Sequence, residues 1–285
     1  MSAKIIDGSK LAGEIKENLK GEIDELKKEG RVPGQATILI GDDPAAKSYV
    51  NMKKKVAKNL GIKSQVHQLD PNIEEKELLN LIYDLNNDPE IDGILIQLPL
   101  PEHINETRVI ENMDPTKDVD GFHPLNTGRL FSNLDENLHF VPCTPAGVME
   151  LIKSTGVKIK GKKAVMVGHS NIVGKPAAHL LLDEFATVTV CHIHTKDLAK
   201  ETKQADILIS AAGKANLITE DMVKEDAIVI DVGINKVDGK ITGDVDFEAV
   251  KEKASYITPV PGGSGPMTIA MLMKNTVKAR KYHGV

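Results

Sequence analysis

Apolar positions along the chain change period several times, and each change marks an element. Leu11, Ile15, Leu19, Ile23 and Leu26 recur at helical spacing and predict a helix over 9–28, closed by Gly30 and Pro33. Residues 35–41 form a short apolar run that predicts a strand, and 45–60, opened by Asp42-Asp43-Pro44, returns to the helical period. A third unit repeats the alternation, with a strand at 63–69, a helix at 73–86 and a buried strand at 91–98. Strands alternating with helices predict βαβ units and a mostly parallel sheet.

Residues 99–145 break this rhythm with Pro99, Pro101, Pro115, Pro124, Pro142 and Pro145, and are read as a long irregular stretch. Such a stretch inside a compact protein is more often a binding segment than a spacer. A second α/β pattern begins at Lys163, with strands at 163–168, 187–192, 206–213, 227–233 and 255–260 and helices at 174–185 and 197–204. It predicts a second domain. A last apolar helix over 267–280 follows a Gly/Pro-rich link and is placed to return to the first domain.

The chain has 285 residues, which accommodates two domains. Its formal charge is −5, so nothing draws it generally toward nucleic acid or an anionic membrane. No stretch approaches the roughly 20 apolar residues of a membrane span, and the N-terminus turns charged before a signal-type apolar run develops. A small-molecule partner and a cytoplasmic location are expected. Cys143 and Cys191 match no metal spacing and are read as packing residues; no metal site is expected. Four Tyr, five Phe and no Trp leave few flat surfaces for an aromatic ligand.

The strand at 163–168 runs into Gly168-His169-Ser170-Asn171-Ile172-Val173-Gly174-Lys175-Pro176, after which a helix begins. A Gly closing a parallel strand permits a tight turn, and the helix N-terminus that follows offers N–H groups to a phosphate. The spacing departs from the usual dinucleotide fingerprint: Ser170 replaces the second Gly, and the last Gly is displaced by one residue. The next strand ends in Cys191-His192-Ile193-His194-Thr195-Lys196, with no carboxylate for a ribose 2′-hydroxyl. Two His and a Lys there suit a 2′-phosphate and favour NADP over NAD. A solvated loop of no function accounts for the same residues, and the sequence leaves both readings open.

Tyr49 and Lys53 lie four residues apart on a predicted helix and share a face. On spacing alone a Tyr capping the core with its Lys in solvent is much the commoner arrangement; their company changes the weighing. Gln97 ends an apolar strand before Leu98-Pro99-Leu100-Pro101, so its amide emerges at the carboxyl edge of the sheet, where open α/β sheets bind ligands. Asp120 lies in the turn Asp118-Val119-Asp120-Gly121, and Pro259-Val260-Pro261-Gly262-Gly263-Ser264 forms a rigid loop. Of the four Tyr, only Tyr49 shares a helix face with a candidate acid/base.

Taken in order, Tyr49-Val50-x-x-Lys53, Ile96-Gln97-Leu98-Pro99-Leu100-Pro101, Lys117-Asp118-Val119-Asp120-Gly121-Phe122, Pro142-Cys143-Thr144-Pro145, Gly168-x-Ser170-x-x-Val173-Gly174-x-Pro176, Asp231-Val232-Gly233-Ile234-Asn235 and Thr258-Pro259-Val260-Pro261-Gly262-Gly263 resemble the bifunctional methylenetetrahydrofolate dehydrogenase/methenyltetrahydrofolate cyclohydrolase family over nearly the whole chain. The resemblance implies an α/β fold: an N-terminal α/β substrate domain over 1–143, with the helix over 267–285 packing back on it, and a Rossmann-like dinucleotide-binding domain over 144–266, with a cleft between them. It implies oxidation of 5,10-methylenetetrahydrofolate with NADP, NAD being the alternative, and hydrolysis of the methenyl product to 10-formyltetrahydrofolate. It also implies a homodimer.

By the same resemblance Lys53 is the general acid/base, Tyr49 stacks on the folate, Gln97 orients the lysine and Asp120 anchors the pterin. Leu98 and the Pro261-Gly262-Gly263 loop contact the substrate, and Gly168, His169, Ser170, Ile193 and Ile234 contact the cofactor. A lysine with an ordinary pKa of about 10.4 becomes half neutral at pH 7 only at a cost of roughly 4.6 kcal/mol, which desolvation can supply. Three departures stand out: His169 where many relatives have Arg, Ser264 where the usual loop has Val, and Ala46 where a Ser often precedes the Tyr. The rival readings are retention of one activity alone, a shikimate-type or amino-acid dehydrogenase, and a non-catalytic nucleotide sensor. The last would be expected to lack Lys53 or Gln97.

Overall fold

The structure is a computed structural model that describes residues 2–132 and 139–284. Its first part runs β1 (Lys4–Ile5), α1 (Gly8–Lys28), β2 (Gly34–Ile40), α2 (Pro44–Leu60), β3 (Lys63–Leu69), α3 (Glu75–Asn87), β4 (Gly93–Ile96), α4 (Glu106–Glu111), α5 (Pro124–Phe131) and α6 (Cys143–Ser154). There follow β5 (Lys163–Val167), α7 (Gly174–Asp183), β6 (Thr187–Cys191), α8 (Leu198–Thr202), β7 (Ile207–Ser210), β8 (Ile228–Asp231), β9 (Asn235–Val237), β10 (Lys240–Thr242), α9 (Phe247–Val250), β11 (Tyr256–Ile257) and α10 (Ser264–Tyr282). The α/β class expected from the alternating periods is observed.

The chain divides into two compact units, one of residues 14–143 and 271–285 and the other of residues 1–13 and 144–270. The first carries a parallel three-stranded sheet in the order β3-β2-β4. Central β2 is buried along nearly its whole length, which is why it reads as a continuous apolar run rather than an alternating one. Ala36, Ile38, Ile94 and Ile96 of this sheet pack with Leu78, Ile82 and Leu85 of α3 in one core. Helix α2 begins on Asp43, whose carboxylate accepts from the Ala46 amide at 2.8 Å, and ends on Gly61 at φ +82°, a left-handed cap.

The second unit carries a six-stranded sheet in the order β1-β11-β8-β7-β5-β6, parallel throughout, with an antiparallel β9–β10 hairpin beside it. Val165, Val167, Leu208, Val229 and Ile257 from its strands share one core. The division at 143/144 falls where expected, but residues 1–13, expected in the first domain, lie in this unit, because β1 pairs with β11, Lys4 against Tyr256 and Ile5 against Ile257; the chain returns to the first unit at 271 instead of 267. Two residues are too short to show a period in the sequence.

The stretch 99–145 is less irregular than its prolines suggest; residues 133–138 of it lie outside the described residues. Pro124 starts α5 instead of breaking it, since the first helical position has no N–H to lose, and the His123 ring caps the Leu125 amide at 3.1 Å. Asn105 caps α4 through the Arg108 amide at 3.0 Å. No helix among the described residues is long and apolar enough to cross a membrane. Among the same residues, no group of three or more His, Cys, Asp or Glu is arranged to hold a metal ion.

Candidate active site

In the three-stranded unit the geometry centres on α2. Its buried residues are Val50, Lys53, Ala57 and Leu60, so Lys53 occupies a helical position where the period would place an apolar side chain. Only 5% of Lys53 is exposed, while Lys54 and Lys55 on the other faces are open to solvent. The Lys53 ammonium lies 4.5 Å from the centroid of the Tyr49 ring, one turn earlier, within the range of a cation–π contact. It donates to Gln97 Oε1 at 3.1 Å.

Gln97 follows β4 directly, and its backbone amide bonds to the Ile38 carbonyl at 2.9 Å, so the sheet fixes where its side chain begins. Its Nε2 donates to the Leu98 carbonyl at 3.0 Å, which turns Oε1 toward Lys53. The amide accepts from the lysine whether that is charged or neutral, and as a neutral partner it adds no full charge to hold the proton on. Leu98 packs against the core of the unit, and its peptide bond to Pro99 is cis.

Asp120 reaches the same cluster from the segment after α4. Ile94 of β4 donates to the Lys117 carbonyl at 2.7 Å and bridges Asp118, which brings this segment beside β4. The fully buried Asp118 carboxylate accepts from the Gly121 amide at 3.1 Å, the His123 amide at 2.7 Å and Asn126 Nδ2 at 2.9 Å, and so fixes the turn on which Asp120 stands. From α10, Asn275 Nδ2 donates to the carbonyls of Val119 at 2.8 Å and Val141 at 3.0 Å.

The electrostatics follow from burial. Desolvation pushes the Lys53 ammonium below its ordinary pKa, opposed by the Asp120 carboxylate, which favours the charged form. Desolvation likewise raises Asp120 to about 6, against the lowering effect of Lys53. The Tyr49 hydroxyl is also pushed up by burial and, less, by Asp120. Cys143 is buried as expected of a packing residue, donates to the Val119 carbonyl at 3.3 Å, and is raised well above the usual thiol range by burial first and Asp120 second. It is therefore a neutral wall of the cluster, not a nucleophile.

In the six-stranded unit, Gly168 ends β5 at φ +123°, and a Cβ there would overlap the Ala211 carbonyl, so both its conformation and the close approach of the chain require glycine. His169 and Ser170 are exposed at the turn. The helix start is less open than the sequence suggests: Ser170 Oγ accepts from the amides of Val173 and Gly174 at 3.2 and 3.3 Å. These long bonds leave the hydroxyl as the group a phosphate would meet first.

The His169 and His192 rings lie 5.2 Å apart, centroid to centroid, and His192 and His194 lie 6.1 Å apart. The sheet thus brings three imidazoles from the ends of adjacent β5 and β6 to one exposed spot, a grouping that sequence spacing alone does not disclose. Ile193 is 89% exposed and Ile234 is 64% exposed, apolar surface suited to a flat ring. Pro261, Gly262 and Gly263 join β11 to α10 in this unit; the Val260–Pro261 peptide is cis, and the Gly262 carbonyl accepts from the Ser9 amide at 3.0 Å. The Gly168 turn, with its glycine cradle and its imidazole and apolar surroundings, fits a dinucleotide.

Comparison with known proteins agrees with both halves. Residues 6–120 match the catalytic domain of the tetrahydrofolate dehydrogenase/cyclohydrolase family, and residues 142–284 match its NAD(P)-binding domain. A "bifunctional protein FolD" from Halothermothrix orenii is 62% identical over 282 residues, 99% of either chain. The crystal structure of the bifunctional methylenetetrahydrofolate dehydrogenase/cyclohydrolase from Campylobacter jejuni superposes with a TM-score of 0.96 at 54% identity, covering 99% of either chain. The Trypanosoma brucei methylenetetrahydrofolate dehydrogenase-cyclohydrolase, complexed with NADP cofactor and an inhibitor, gives 0.95 at 38% identity over 99% of this chain and 98% of its own. The buried lysine cluster and the glycine turn thus lie in the two domains so matched, and the chain belongs to the tetrahydrofolate dehydrogenase/cyclohydrolase family.

Proposed function

We propose that Lys53 moves the protons in a bifunctional enzyme that oxidises 5,10-methylenetetrahydrofolate and hydrolyses the resulting 5,10-methenyltetrahydrofolate to 10-formyltetrahydrofolate. NADP, when bound, supplies the hydride acceptor for the first reaction. Gly168, His169 and Ser170 would hold its phosphates, and Ile193 and Ile234 would meet its rings. In the second reaction water adds to the methenyl carbon. Neutral Lys53 takes a proton from that water, the ammonium so formed returns one to the folate nitrogen as its bond to carbon breaks, and the remaining hydroxyl proton leaves to solvent as the formyl C=O forms, so that the cationic substrate and water give neutral product and one proton.

The observation that carries this reading is Lys53 itself: a buried amine held by a neutral amide at 3.1 Å, its ammonium form disfavoured by desolvation. A carboxylate in place of Gln97 would stabilise the ammonium and defeat the base. Tyr49 offers its ring face to the folate, and Leu98 and the 261–263 loop add substrate contacts. Asp120, raised to about 6, accepts from the pterin while ionised at neutral pH. A homodimer and a cytoplasmic location complete the proposal, supported by the family resemblance; sedimentation at twice the chain mass is the expected result for the dimer.

The purified protein, given methylenetetrahydrofolate and each dinucleotide in turn, should reduce NADP in preference to NAD and pass methenyl absorbance through a transient. No reduction of either cofactor would refute the dehydrogenase. Persistent methenyl absorbance would refute the cyclohydrolase.

A further inference from the structure

Behind the cofactor turn lies a pair of buried carboxylates that takes no part in the chemistry above. Asp231 closes β8 and is 3% exposed; Asp244 follows β10 and is fully buried. The Asp244 carboxylate accepts from Ser210 Oγ at 3.1 Å and from the amides of Ala212, Gly213 and Lys214 at 2.6, 3.2 and 2.9 Å. It accepts a fifth bond from Asn235 Nδ2 at 3.0 Å. A carboxylate has about four lone-pair sites, so this one is saturated.

Asp231 holds Asp244 in turn. Its Oδ1 accepts from the Asp244 amide at 3.0 Å and its Oδ2 from the Val245 amide at 2.9 Å. A Cβ at Gly233 would overlap the Asp244 carboxylate, and one at Gly243 would overlap that of Asp231, so each acid sits against a glycine.

We infer that Asp244, seated by Asp231, is a positioning residue for dinucleotide binding: it fixes the loop 211–214 against the Gly168 turn and the segment that presents Ile234. In a trans peptide the N–H and C=O point in opposite directions. With the Ala212 amide turned onto Asp244, the Ala211 carbonyl must face the other way, and there it lies where a Gly168 Cβ would be. The bond to Asn235 ties down the residue next to exposed Ile234. The loop and the segment follow the carboxyl ends of β7 and β8, the edge at which open parallel sheets bind their ligands.

This inference rests on the function proposed above, and Asp244→Asn tests it. Asn replaces one acceptor oxygen with a donor that faces the loop amides, so the loop must shift while the fold keeps its packing. The expected result is a rise of about tenfold in both the KM for NADP and the NADP dissociation constant by calorimetry. Hydrolysis of supplied methenyltetrahydrofolate, which needs no dinucleotide, should stay within about twofold of wild type. An unchanged dissociation constant, or equal loss of both activities, would overturn it. Should Asp244→Asn not fold, Ser210→Ala removes one of the five bonds; a rise of about threefold in the NADP dissociation constant supports the inference and none overturns it. A wild-type protein that reduces neither dinucleotide yet binds NADP would instead count against the proposed function.

Discussion

The two candidate sites, one in each unit, are built on opposite principles. Around Lys53 the functional groups are side chains withdrawn from water, and their ionisation is displaced by burial: the lysine down, Asp120 up to about 6. Around Gly168 they are backbone and exposed side chains, with His169, Ser170 and Ile193 open to solvent and the carboxylates hidden behind the loop they hold. A lysine that moves a proton works best when its charged form is disfavoured, which desolvation supplies. Holding a dinucleotide requires a fixed edge that is vacant on its outer side, which buried acceptors supply from behind.

Lys53→Met should break the comparison most severely. Cyclohydrolase turnover should fall by at least about a thousandfold, the upper range for a general acid/base, while folate binding stays measurable and NADP affinity is unchanged by calorimetry. Hydrolysis at the wild-type rate would remove Lys53 from the mechanism.

Gln97→Glu should come next. A carboxylate at the lysine raises its pKa, so the neutral base is lost at pH values where wild type still has it. The acid limb of the hydrolysis profile should move up by about one to two pH units, with a ten- to hundredfold loss at pH 7. An unmoved limb would show that Gln97 does not govern the protonation of Lys53.

His169→Arg should have the smallest effect and belongs to the exposed half. Arg offers a phosphate a planar, bidentate fork in place of an imidazole ring, so the variant should bind NADP about threefold more tightly by calorimetry. An unchanged NADP dissociation constant would show that His169 makes no phosphate contact.

Much of the molecule was legible along the chain because each element's burial leaves a local pattern, a helical period in half-buried α1 and α2 and an apolar run in buried β2. β3 is observed at the expected bounds, and α1, β2 and α2 lie within a residue of theirs. The failures are local and physical. Pro124 begins a helix where a proline reads as a breaker, and β1 is too short for any period to show. Helix α6 was hidden among Pro142, Pro145 and the segment before Lys163. Within the candidate site, Tyr49, Lys53, Gln97 and Asp120 could be singled out, whereas Asp118, Asn126 and Asn275, which hold the Asp120 turn, could not. Beyond the Asp118 bonds within its own turn, the bonds of Asn126 to Asp118 and of Asn275 to Val119 span 8 and 156 residues, and no spacing rule connects them.

The sequence by itself determined the alternation of elements, the α/β class, the shared face of Tyr49 and Lys53, and the family, since these depend on residue order and local period. Only the tertiary structure decided that Lys53 is buried beside a neutral amide, that His169 converges with His192 from the neighbouring strand end, and that Asp231 and Asp244 stand behind the cofactor edge. Desolvation and hydrogen-bond saturation are properties of what surrounds a group in space, and a linear chain does not carry them.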